Sequence, residues 1–169
     1  MAKTARRPKA QPADEITIRG LVSYRLARTA SLMSRGAALR YKREFDVSLG
    51  EWRALALLAA GVPQSLMQLA RAAGLDKAQM SRVVASLIER GLVVREASPR
   101  GGRTVDLSLT PRGCDLYGGL IAAAAERDRA FRAALGPGEL VVLEAALEKL
   151  ADQARLFIGA EAAETADGE

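Results

Sequence analysis

Residues 65–109 read SLMQLARAAGLDKAQMSRVVASLIERGLVVREASPRGGRTVDLSL, and the order of elements in this stretch decides the fold. Ser65 suits a helix N-cap with Gln68 reaching back from three residues on, and Leu66, Leu69, Ala70 and Ala73 follow at helical spacing. Gly74 stops that helix. Asp76 restarts the chain as a second cap with Gln79 at its third position, so only Gly74 and Leu75 separate two helices, a break short enough to force a sharp crossing. The second helix runs to about Arg90, ahead of Gly91. Its residues Met80, Val83, Val84, Leu87 and Ile88 share one face, while Lys77, Gln79, Ser81, Arg82 and Ser86 project elsewhere.

After Gly91 the period changes. Leu92, Val93 and Val94 are β-formers, and Thr104 to Leu109 alternates as a half-buried strand does, with Pro99, Gly101 and Gly102 between as turn residues. This is a hairpin with a long tip, carrying Arg95, Arg100 and Arg103. Guanidinium groups on such a finger suit phosphates or a narrow minor groove. Two crossed helices followed by a basic hairpin make a winged helix-turn-helix, whose free polar helix face points to double-stranded DNA.

The chain has 169 residues and a formal net charge of +5, enough length for a real core and a basic balance that favours a polyanion partner. The charge is segregated. Lys3, Arg6, Arg7 and Lys9 sit in the N-terminal segment, whereas Glu161, Glu164, Asp167 and Glu169 make the C-terminal end acidic. There is one cysteine, Cys114, and no histidine, which removes intrachain disulfides, metal sites built on histidine or paired cysteines, and any triad with a histidine base. No glycine loop leads to a phosphate-binding lysine, and no carboxylate cluster stands apart from helix surfaces, so an enzyme is not expected and no cofactor is implied. No apolar run approaches the roughly 20 residues of a membrane span, and the start lacks the apolar core of a signal peptide; a cytoplasmic protein with no membrane partner is the expectation.

Outside the winged stretch, Ile18, Leu21, Val22, Leu26, Met33, Ala37 and Tyr41 trace a helical stripe between about Asp14 and Tyr41. Ser48 and Glu51 form a capping box for a helix over Leu49–Ala60, with Trp52, Leu55, Leu58 and Ala59 facing inward. Thr110 caps a further helix with Pro111 at its first position, reaching about Leu135 before Gly136-Pro137-Gly138. A last helix carries Leu140, Leu143, Leu147, Leu150, Ala154 and Phe157 at nearly heptad spacing. These long helices have more apolar surface than a small winged lobe can cover, and a second copy of the chain is the expected partner. A twofold dimer would set its two reading helices roughly 34 Å apart, one turn of DNA.

Residues 48–117, through SLGEWRALALLAAG, the LARAAGLDKAQMSRVVASLIERGLV segment and RGGRTVDLSLTPRG, resemble the MarR family of bacterial transcription regulators. The resemblance implies a homodimer that binds a pseudo-palindromic operator, with Lys77, Gln79, Ser81 and Arg82 matching the recognition helix and Arg103, beside Arg100, matching the wing arginine. Where the family usually places an acid two positions before that arginine, this chain has Gly101, so its wing is more basic. The resemblance also implies an effector pocket near Tyr24, Arg28, Ser31, Met33, Trp52, Arg53 and Tyr117. Aromatic walls with arginines there suit an aromatic acid or its coenzyme A thioester.

The expected organisation is a mainly α protein with a small β-hairpin wing. A basic disordered tail (1–13) precedes an N-terminal dimerisation helix (14–47), a winged DNA-binding lobe (48–109), C-terminal dimerisation helices (110–158) and an acidic disordered tail (159–169). The expected function is that of a ligand-responsive repressor. The alternative is a constitutive or thiol-sensing DNA-binding protein without a small-molecule effector. Cys114 reads as a small packed residue, since the family's thiol sensors carry their reactive residue near the start of the first helix and this chain has none there.

Overall fold

The computed structural model describes residues 17–60, 64–97 and 105–166. A 3-10 turn, Ile18–Gly20, leads into six helices and one hairpin: α1 (Val22–Phe45), α2 (Leu49–Leu58), α3 (Leu66–Ala73), α4 (Lys77–Glu89), β1 (Val93–Ala97), β2 (Val105–Leu109), α5 (Pro111–Ala133) and α6 (Glu139–Ala166). The mainly helical winged architecture expected from the sequence is present.

Local chemistry sets most boundaries. Each of α2, α3 and α4 opens with a two-way capping box, Ser48 with Glu51, Ser65 with Gln68 and Asp76 with Gln79. Gly74, at φ 66°, ends α3 in the left-handed region and turns the chain into α4. α1 ends on Asp46, a non-glycine residue at φ 53° whose side chain is held by Lys42. The strands pair antiparallel in the register Val93 with Leu109 through Ala97 with Val105. Gln64 adds an isolated bridge to Leu107, whose amide donates to the Gln64 carbonyl at 3.0 Å.

The chain divides into two compact units, the first through Tyr117 and the second from Gly118. In the first, Leu55, Leu69, Met80, Val84 and Leu87 have no exposed surface and form the seam between α2, α3 and α4. α1 therefore clusters with the winged elements, whereas the sequence groups it with the C-terminal helices as a dimerisation element. Only the end of its apolar stripe, Ala37 and Tyr41, is buried; Ile18, Leu21, Val22, Leu26 and Met33 are exposed. Periodicity marks a face for burial without saying whether the covering surface belongs to the same chain.

In the second unit no residue of α6 between Glu139 and Thr165 is buried. The heptad residues Leu143, Leu147 and Leu150 are each about 40 % exposed, and Val141, Val142, Leu156, Phe157 and Ile158 more so. α6 also runs to Ala166, which corrects the expected disordered tail at 159–169 as far as that residue. Alanine is the strongest helix former and stands at 160, 162 and 163, while the Thr165 hydroxyl donates back to the carbonyls of Glu161 and Ala162. Acidic composition alone does not melt such a segment.

One glycine is required by packing. The Thr110 hydroxyl accepts from the Gly113 amide at 3.0 Å and donates to the Gly91 carbonyl at 2.8 Å, clamping the start of α5 onto the turn before β1. A Cβ at Gly113 would stand 2.1 Å from the Leu92 carbonyl oxygen. At Gly118, inside α5, a Cβ meets nothing within 4 Å. Gly113→Ala is expected to destabilise the chain by about 1–3 kcal/mol, as overpacking does, and Gly118→Ala to stabilise it by about 0.5–1 kcal/mol through helix propensity. Thermal denaturation of the two variants beside the wild type checks both signs.

Candidate nucleic-acid interface

The outward face of α4 follows from its inward one. Met80, Val84 and Leu87 are buried, which turns Lys77, Gln79, Ser81 and Arg82 to solvent on the other side. Four polar side chains on one short helix, two of them cationic and none acidic, match the edges and phosphates of a nucleic-acid groove. Gln79 serves both the cap and this face, because its side-chain oxygen accepts from the Asp76 amide at 3.4 Å and leaves the carboxamide NH2 to donate outward. Arg100 and Arg103 lie outside the described residues. Arg95, on β1, is exposed and stands opposite Leu107.

Two residues near the expected polar face turn out to be committed elsewhere. The Ser86 hydroxyl donates to Glu51 Oε1 at 2.8 Å, and Arg90 Nη1 reaches the same oxygen at 3.1 Å. By sequence, Arg90 suits a phosphate or its neighbour Glu89; its partner is instead on α2, 39 residues away. Glu51 itself is 7 % exposed, and its other oxygen accepts from the Ser48 amide at 2.8 Å. The sequence marks Glu51 as a cap; its contacts with α4 depend on the crossing of α2 and α4, which no local pattern encodes. That crossing is close, since a Cβ on Gly50 would lie 3.0 Å from Val83 Cγ2.

The residues singled out for an effector separate into two groups. Trp52 and Tyr117 stack at 6.0 Å between ring centroids and 14° between planes. Tyr41, which the sequence places only on the α1 stripe, packs on Trp52 at 5.3 Å and 50°. Trp52, Arg53 and Tyr117 are half-buried and Tyr41 is buried. Tyr24, Arg28, Ser31 and Met33 lie earlier on α1, with Arg28, Ser31 and Met33 exposed and Tyr24 half-buried. Tyr24 is about 25 Å along the helix from Tyr41 at a rise of about 1.5 Å per residue. One chain therefore brings together Trp52 and Tyr117, with Tyr41 added, and keeps Tyr24 apart from them. Cys114, in the first turn of α5, is exposed, which corrects its reading as a packed residue. Among the described residues no helix is long and apolar enough to cross a membrane.

This arrangement defines a winged helix-turn-helix protein, and comparisons with known proteins agree. Residues 45–104 match the sequence profile of the MarR family. The proposed transcriptional regulatory protein for the hcr operon of Thauera aromatica is 32 % identical over 104 residues, which span 62 % of this chain and 63 % of that relative. A MarR/EmrR family transcriptional regulator from Acinetobacter sp. ADP1 superposes with a TM-score of 0.76 at 25 % identity, over 83 % of this chain and 99 % of that one. The Staphylococcus aureus MepR–DNA complex shares the fold, with a TM-score of 0.70 at 19 % identity over 79 % of this chain and 97 % of the other. The winged region, residues 45–104, thus matches the MarR family, and the chain shares the fold of a MarR/EmrR family regulator.

The Glu51 carboxyl also carries a pH dependence. Burial pushes its pKa up, but the hydrogen bonds from the Ser48 amide and the Ser86 and Ser48 hydroxyls, with the nearby Arg90 charge, outweigh burial and hold it below the ordinary value. A depressed carboxyl contributes stability that is present above the unfolded pKa of about 4.3 and is lost as pH falls through the lower folded value. E51Q is expected to cost about 1–3 kcal/mol at neutral pH, the range for hydrogen bonds to a buried charge. That difference should shrink as the pH falls below about 4, and chemical denaturation of both proteins across pH measures it.

Proposed function

We propose that the chain is a homodimeric transcriptional regulator, acting as a repressor, that reads a pseudo-palindromic operator in double-stranded DNA. The observation that carries this reading is the outward face of α4. Lys77, Gln79, Ser81 and Arg82 are presented together on a capped helix whose opposite face is locked into the core, directly ahead of a two-stranded hairpin. Arg100 and Arg103 would extend the contact from the hairpin tip to the backbone or minor groove. The MepR–DNA complex, of the same fold, is consistent with such use.

The dimer reading rests on unburied apolar surface. A 28-residue helix with no buried side chain between Glu139 and Thr165 gains little from packing in a single chain. Its leucines at 143, 147 and 150 have the spacing of a seam that a second copy would fill. The exposed apolar residues of α1 require cover in the same way.

The ligand-responsive part of the reading rests on the Trp52–Tyr117 stack, with Arg53 half-buried on the same helix as Trp52. Flat, half-buried rings fit an aromatic carboxylate or its coenzyme A thioester, and a ligand there would shift the dimer away from the spacing that both half-sites require. Trp52 is the sole tryptophan, so its fluorescence reports directly on occupancy.

Sedimentation is expected to give twice the monomer mass of 18.0 kDa. Arg82→Ala and Arg103→Ala should each weaken binding to a duplex selected by the wild-type protein by about 1–3 kcal/mol, with mass and helical content unchanged. Unchanged binding of both variants at physiological salt would remove α4 and the wing from the interface. Aromatic acids and their coenzyme A thioesters that quench Trp52 should also release the duplex; quenching without release would reject the effector role.

A further inference from the structure

Three helices of the winged unit open with the same capping geometry but not with the same residue. In α3 and α4 the side chain that reaches back to the cap amide is a glutamine, Gln68 and Gln79, and both are exposed. In α2 it is Glu51, which is buried. A glutamine meets the capping requirement, as the other two helices demonstrate, so the charge at position 51 serves something else. Glu51 Oε2 holds its own cap, while Oε1 accepts from Ser86 and Arg90, 35 and 39 residues away.

Both partners lie along α4, at four and eight residues beyond Arg82, so Arg82, Ser86 and Arg90 form one stripe along that helix and its C-cap. All three line, with Glu51, a cavity of about 430 Å³ completed by Lys42, Asp46, Ser48 and Val83. Within it Lys42 pairs with Asp46 and Arg90 with Glu51. Arg82 has no acid partner among the described residues, so it carries the uncompensated positive charge of the cleft.

We infer that Glu51 is a positioning residue for DNA reading: by gripping Ser86 and Arg90 it fixes the rotation of α4 about its axis, and with it the direction of Lys77, Ser81 and Arg82. This rests on the DNA-reading function proposed above. The apolar seam presses α4 against its neighbours but is tolerant of small rolls, because it is non-directional. A buried carboxylate with fixed donors is directional, so beyond the stability it contributes it sets an orientation. Glu51 also occupies Arg90, keeping that cation from adding sequence-independent attraction to phosphates.

The test uses the full chain as wild type, E51Q and Arg90→Gln. Two probes are titrated across salt concentration: a duplex selected by the wild type from a random-sequence pool, and a duplex of the same composition in scrambled order. E51Q keeps a glutamine able to cap α2, so helical content and dimer mass should hold. Its preference for the selected duplex is expected to fall by roughly tenfold, the size of one lost base contact. Its affinity for the scrambled duplex should rise, with a log–log salt slope steeper by about 0.9 as the freed Arg90 joins the phosphate contacts. Arg90→Gln should lose preference without that rise. If E51Q weakens both duplexes in parallel, or keeps the wild-type preference, the positioning role is overturned and the DNA-reading function stands. If the wild type enriches no duplex, both are overturned.

Discussion

The seam between α2, α3 and α4 constrains everything else in the winged unit. Leu55, Leu69, Met80, Val84 and Leu87 are fully enclosed there, and a buried leucine or methionine contributes about 1.5–3 kcal/mol by leaving water. With Met80, Val84 and Leu87 committed inward, the helical period leaves Lys77, Ser81 and Arg82 nowhere to go but outward. The polar face of α4 is thus a consequence of the core rather than a separate feature. Gly50 lets α2 approach α4 closely enough for this seam to close, and that same approach puts Glu51 within reach of Ser86 and Arg90.

What the sequence made legible was local. Capping boxes at Ser48, Ser65 and Asp76, the glycine stop at Gly74 and the change of period after Gly91 each depend on a few neighbouring residues, and each appears in the structure where the pattern put it. What was hidden was long-range. Nothing within a window around Arg90 distinguishes a pair with Glu89 from one with Glu51; the choice is made by how α2 and α4 cross. Tyr41 joins Trp52 and Tyr117 for the same reason, since three separate helices must meet before the rings do. Cys114 is exposed because Gly113, its neighbour, takes the inward place against the Leu92 carbonyl.

Periodicity leaves one question open in both long helices. It marked the stripe of α1 and the heptad residues of α6 as faces to be buried, and both are apolar, yet a single chain leaves most of them in water. A hydrophobic stripe states a demand for cover and is silent about its source. The demand is heaviest where intrinsic helix formers are also densest, as in the alanine-rich end of α6. High propensity keeps a helix formed while its apolar side still awaits a partner.

Electrostatics then separates the roles of the two units. α6 carries Glu139, Glu144, Glu148, Asp152, Glu161 and Glu164 against only Lys149 and Arg155, a balance that a phosphate backbone repels. α1 carries Arg25, Arg28, Arg35, Arg40, Lys42 and Arg43 against Glu44. Among these Arg40 and Arg43 share Glu44, and Lys42 is held by Asp46. Lys42, which shares the cleft with Arg82, is thus held in an ion pair, as Arg90 is, whereas Arg82 has no acid partner among the described residues. Within the proposed reading, sequence discrimination needs this restraint: every unpaired cation beside the reading helix strengthens binding to all DNA alike, whereas a few directed side chains on a fixed helix strengthen it to one sequence.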